Sequence, residues 1–260
     1  MSFEENGFIG ASIQPWIKKI HEVHAALFNV ADETNRLCQV SLRDINAHNR
    51  DPQEIVIACL YRRILSNYQS IYIHCERGML PEARAILRCM YEAIFILGAV
   101  IKESTLALTY IKEHEKRRHE FIQKLKKLQD KPDNYDHEKL LELETTLQEE
   151  IKQIDKFKTE DWAKKAGLHD VYLGAYTVLS GTVHVKISDL EQYTIVDEKG
   201  DIRDFKYGPD DTDIDSIFSS AIEFMLLASR ITLTFFKVDK SKTLDDLLSR
   251  LHQGIKSKDS

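Results

Sequence analysis

The sequence predicts an all-α protein, a multi-helix bundle carrying a protruding antiparallel coiled-coil hairpin and one small β-hairpin. Three observations lead there. Only 10 Gly and 5 Pro occur in 260 residues, hydrophobic residues make up 43% of the chain, and apolar residues recur at threes and fours along most of it. A length near 260 fits one large core, so residues 1–260 read as a single helical domain.

Pro15 opens the first helical stretch, in which Trp16, Ile20, Val23, Leu27, Val30, Leu37, Val40 and Ile45 keep helical spacing with one slip near Thr34. This predicts one long helix ending around His48 to Asp51. Asp51-Pro52-Gln53-Glu54 is an N-cap followed by proline at the first helical position, and it starts a second helix that stops at Gly78. Pro81-Glu82 starts a third, running to about Glu103. Its section Ala93 to Ile101 is apolar on every side, which requires a central position.

Residues 104–158 change character and read as a helical hairpin inserted into the bundle. Two amphipathic arms, Leu108 to Asp130 and Tyr135 to Lys158, flank Lys131-Pro132-Asp133-Asn134, and Leu140, Leu143, Leu147, Ile151, Ile154 and Phe157 form a narrow seam. The first arm is mainly basic and the second mainly acidic, so antiparallel pairing neutralises both. The same pairing would screen the basic cluster Lys116, Arg117, Arg118, Lys124, Lys126 and Lys127 from nucleic acid.

A short helix near Glu160 to Ala166 ends at Gly167, and His169 to Val183 forms the next. Alternating β-branched and polar residues around Asp197-Glu198-Lys199-Gly200 predict a β-hairpin over residues 193–207. Asp210 to Asp215 imitates the start of a calcium loop, but Ser216 stands where glycine is needed and Ile222 where glutamate is needed. These acids are read as first-turn charges on a helix that runs to about Lys237. Lys242 to Ile255 supplies the last helix.

Net charge is -6, so no overall field gathers nucleic acid or anionic membrane. The most apolar runs, Ala93 to Ile101 and Phe224 to Phe236, read as core helices rather than membrane spans. Cys38, Cys59, Cys75 and Cys89 lie singly in apolar helical stretches, which predicts buried, reduced thiols and a cytoplasmic location. No metal or cofactor is implied: His21, His24, His114 and His119 read as surface histidines. No phosphate-binding glycine loop, His-Glu-x-x-His or Gly-x-Ser-x-Gly occurs.

Chemistry could reside in two polar stripes. Arg88 and Glu92 are one turn apart on the central helix, just ahead of its all-apolar section. A buried ion pair there serves either a structural network or a ligand. Ser180 and His184 are likewise one turn apart, with Tyr176 extending their face. They either tie a helix end to a neighbouring carbonyl or present a titratable imidazole to Arg88 and Glu92.

The run Gly78-x-x-x-Glu82-Ala83-x-x-x-x-Arg88-x-x-x-Glu92, followed by Leu179-Ser180-x-x-x-His184, resembles a widespread bacterial family of all-helical domains of unknown function. The resemblance covers about residues 55 to 235 and implies that Arg88, Glu92, Ser180 and His184 share one site. A second similarity is to HEPN domains, helical bundles that cut RNA without metal through an Arg-x(4–6)-His motif, which Arg43 to His48 fits in spacing.

Two functions are therefore expected. One is a scaffold of a bacterial stress or phage-defence system, acting through a protein partner or a second copy of itself. The alternative is a HEPN-like, metal-independent ribonuclease or other phosphodiester-directed enzyme, in which His184 moves the proton and Arg88 stabilises the developing phosphorane charge.

Overall fold

The computed structural model describes residues 3–127, 138–139, 141–142, 144–145, 157–183 and 187–256. Its main helices are α1 (Gln14–Val23), α2 (Ala25–Ser41), α3 (Pro52–Glu76), α4 (Leu80–Lys102), α5 (Thr105–Lys126), α6 (Thr159–Ala166), α7 (residues 169–183), α8 (Ile214–Phe235) and α9 (Ser241–Lys256). Short helical turns at residues 3–13 and 187–193 accompany them, and the strands among the described residues are one antiparallel pair, β1 (Thr194–Val196) with β2 (Ile202–Phe205). The all-α class and the small hairpin hold.

The predicted first helix is two. The chain leaves helical geometry at His24, whose φ is -109°, because the buried imidazole turns aside to meet the Asp215 carboxylate at 2.7 Å. No break occurs at Thr34, which is buried mid-helix, and α2 already ends at Ser41. Asp51 does cap α3, its Oδ1 accepting the Gln53 and Glu54 amides at 2.9 and 3.2 Å. Gly78 then turns with φ +70°, and an added Cβ would lie 2.6 Å from the Asp210 amide nitrogen.

Helix α4 is the axis of the bundle. It packs against α3, α5, α6, α7 and α8, and Ile94, Phe95, Leu97, Ala99 and Val100 are fully buried there. Glycine at 98 lets α6 approach closely, since a Cβ would meet that of Ala166 at 3.0 Å. Helix α8 is long and apolar enough, by length and composition, to cross a bilayer, and 56% of that window is buried inside the protein. Its Ser229 hydroxyl donates to the Met225 carbonyl at 2.8 Å and lies 3.1 Å from both the Tyr61 hydroxyl and the Cys38 thiol. Cys38 and Cys75 are buried as expected and Cys89 is half-buried. Cys59 is instead exposed, on the solvent side of α3.

The seam residues Leu140, Leu143, Leu147, Ile151 and Ile154 lie outside the described residues. Two ties across the arms run antiparallel: Glu144 accepts from Gln123 and Lys126, and Glu113 accepts the Phe157 amide at 3.2 Å. The acids at 210–215 mostly precede α8 rather than opening it. Asp210 pairs with Lys206, Asp211 with Lys19 and Asp213 with Arg84, while Asp215 alone sits in the first turn.

Candidate functional site

Arg84, Arg88 and Glu92 recur every fourth residue of α4 and form one half-buried stripe on a helix whose other charges, Glu82 and Lys102, lie near its ends. Helix α7 lies along this stripe. Its Tyr176, only 5% exposed, faces Phe95 edge-on, with ring centroids 5.8 Å apart.

The Tyr176 hydroxyl joins the ion pair. Arg88 Nη2 donates to Tyr176 Oη at 2.7 Å, Tyr176 Oη donates to Glu92 Oε1 at 2.7 Å, and Arg88 Nη2 lies 3.0 Å from the same Oε1. The guanidinium also stands 4.9 Å from the centroid of the Tyr176 ring, a cation–π contact. Burial, and then the hydrogen bond given to Glu92, raise the Tyr176 phenol above its ordinary pKa, so it remains a donor. With the Arg88 side chain 14% exposed and its Nε buried without an acceptor among the described residues, this cation is committed inward.

Of the four residues expected to converge, Arg88 and Glu92 meet. Ser180 is half-buried one turn beyond Tyr176 and, among the described residues, makes no hydrogen bond to either. His184 lies outside the described residues. Tyr176 takes the bridging place, and its signal in the sequence was the helical spacing that put it on the face of Ser180. Its phenol reaches Glu92 only because α7 packs on α4, a contact between residues 84 positions apart.

Beside Glu92 a cleft of about 90 Å³ is walled by Tyr110, Glu113, Phe157 and Trp162. Small-molecule sites usually offer ~300–1,000 Å³. A cavity of about 370 Å³ lies at the α8–α9 turn, lined by Arg230, Lys237 and Lys240 among others, and shares no residue with the Arg88 network.

His114 is exposed as expected, whereas His24 and His21 depart from their surface reading. His24 is buried against Asp215, and His21 stacks on Phe28 at 4.1 Å with Nε2 3.3 Å from Glu76. Arg43 and His48 are both exposed, and His48 Nδ1 lies 2.7 Å from Glu54 beside the α3 cap. Among the described residues no group of three or more His, Cys, Asp or Glu side chains could hold a metal ion.

No curated protein and no solved structure is significantly similar to the chain. A model of a family of unknown function, DUF5677, matches residues 54–201, a span that includes Arg88, Glu92, Tyr176, Ser180 and His184. On that match, over more than half its length, the chain belongs to the DUF5677 family.

Proposed function

We propose that this chain is a helical interaction protein that works through protein–protein contacts, of the kind used in a bacterial stress or phage-defence assembly. One observation carries the reading. More than half of the large apolar side chains that stand exposed among the described residues lie in one stretch, from Leu173 to Tyr207. Such a concentration of exposed apolar side chains in one segment supports a docking role. From Val171 to Val183 the chain of α7 holds no charged residue, although Leu173 and Val178 are 58% and 78% exposed.

The Arg88–Tyr176–Glu92 network then plays a supporting part, pinning α7 to the bundle axis so that the outer face is presented in one orientation. A closed pair of this kind supplies specificity of packing more readily than net stability. The ribonuclease alternative requires Arg88 to leave Glu92 and Tyr176 for a phosphate. Loss of RNA cleavage in both Arg88→Ala and His184→Ala, at equal protein levels, would favour it.

The test replaces Leu173 and Val178 together by Lys in the full chain and compares crosslinked native complexes formed in its own cell. The proposal expects a defined higher-mass species that the double variant loses while its helical circular dichroism is unchanged. A species that survives the substitutions, or none in either protein, would contradict it.

A further inference from the structure

The cavity of about 370 Å³ at the turn between α8 and α9 falls in the size range of small-molecule sites, which the cleft beside Glu92 does not reach. Its lining from Arg230 to Leu244 belongs to one described stretch of chain. Leu233 and Leu244, 1% and 2% exposed, give it an apolar base. Among the described residues that line it, three cations, Arg230, Lys237 and Lys240, stand against one carboxylate, Asp239.

The acids nearby are already engaged. Arg230 pairs with Asp245, and Lys240 lies 3.4 Å from Asp44. Asp239 accepts the Ser241 hydroxyl at 2.6 Å and the Ser241 amide at 3.0 Å, bonds that hold its carboxyl below its ordinary pKa and commit it to the start of α9. The last carbonyls of α8, which would repel an anion, are engaged too: Lys237 N–H donates to Thr234 O at 3.1 Å and Val238 N–H to Leu233 O at 2.8 Å. Lys237 itself pairs with no carboxylate among the described residues. It is also the one non-glycine residue among them with a positive φ, +59°. Glycine is the default at this place after a helix, because a Cβ is strained there. The chain instead keeps a lysine there, on the cavity wall.

We infer that this cavity binds a small organic phosphate, a phosphomonoester with an apolar body. Lys237 and Arg230 take the phosphate, and the body rests on Leu233 and Leu244. The first turn of α9, a helix of 16 residues, borders the cavity through Ser241 and adds its positive end. A cationic ligand meets the wrong sign, and a wholly apolar one would cover Lys237 without giving it a partner. The bounded volume and the net charge of -6 favour a small ligand over an RNA strand. None of this depends on the docking segment between Leu173 and Tyr207.

Calorimetric titration of the full chain with phenyl phosphate tests this, with inorganic phosphate and phenol each supplying one half of the probe. The expected result is saturable binding of phenyl phosphate with a Kd of roughly 1 mM or tighter, and weaker binding of either half. Lys237→Gly should weaken it at least ~10-fold, the loss of one charge-assisted contact. The same change should not lower the melting temperature, because glycine adopts this φ freely, so the loss cannot be ascribed to unfolding. No saturable binding of phenyl phosphate up to ~10 mM, or equal binding by wild type and Lys237→Gly, overturns the proposal. Phenol or inorganic phosphate binding as tightly as phenyl phosphate overturns it as well. If a single-stranded RNA binds in a Lys237-dependent way and phenyl phosphate does not, the small-ligand proposal fails and the ribonuclease alternative gains.

Discussion

Replacing Tyr176 by Phe removes one oxygen and leaves the ring, its 5.8 Å contact with Phe95 and its place over Arg88 intact. What is lost is one hydrogen bond accepted from a guanidinium and one donated to a carboxylate. Bonds to charged groups contribute about 1.5–3 kcal/mol each. The direct Arg88–Glu92 contact at 3.0 Å remains, and Glu92, 35% exposed, can recover water, so both contributions are not lost in full. A net cost of about 2 kcal/mol follows, which lowers the melting temperature of a chain this size by roughly 4–8 °C. Arg88→Met alone leaves Glu92 with the phenol and should cost a similar amount. In the double variant the two costs should not add, because each single change already breaks the shared bond; a coupling of at least ~1 kcal/mol is expected from thermal melts of the four proteins. A Tyr176→Phe protein within ~0.5 kcal/mol of wild type, or strictly additive costs, would refute the network as a structural pin.

Three further outcomes follow from the packing. Ser229→Ala strips the Tyr61 hydroxyl and the Cys38 thiol of their shared buried acceptor, and should cost ~1–3 kcal/mol in urea unfolding. Gly78→Ala, forced to φ +70° against the Asp210 backbone, should destabilise by well over ~1 kcal/mol, whereas Gly174→Ala, in a helix with open space around it, should stabilise by up to ~1 kcal/mol. Arg250 clamps Glu33 with two bonds of 2.7 Å and holds that carboxyl below its ordinary value. A depressed folded-state pKa gives stability that is fully present above the unfolded value near ~4.3 and is lost as pH falls through the folded value. Arg250→Gln should therefore cost ~0.5–1 kcal/mol at pH 7, the pair being solvent-screened, and the gap from wild type should close on acidification.

Local chemistry was legible in the sequence wherever the cause lies within a few residues. Asp51-Pro52 marked the start of α3, Gly78 and Gly167 marked stops, and Asp197 to Gly200 marked the hairpin turn because each acts on its own backbone. The break at His24 was hidden because its cause, Asp215, is 191 positions away. The site divides in the same way. The four-residue spacing of Arg88 and Glu92 exposed their pairing, but that Tyr176 would complete it depended on how α7 lies on α4. Periodicity marked α7 as a helix, but a run without charges does not reveal which of its apolar residues face out; Val178 and Leu173 do.

Hydrogen exchange along α7 tests the central claim, that the polar stripe of α4 holds this helix in place rather than serving a reaction. In Arg88→Gln, amides of residues 172–180 should exchange at least ~10-fold faster than in wild type, the local cost of about 1.4 kcal/mol, while those of α8 stay protected. Unchanged exchange in α7, with RNA cleavage present in the wild type and lost in the variant, would contradict it.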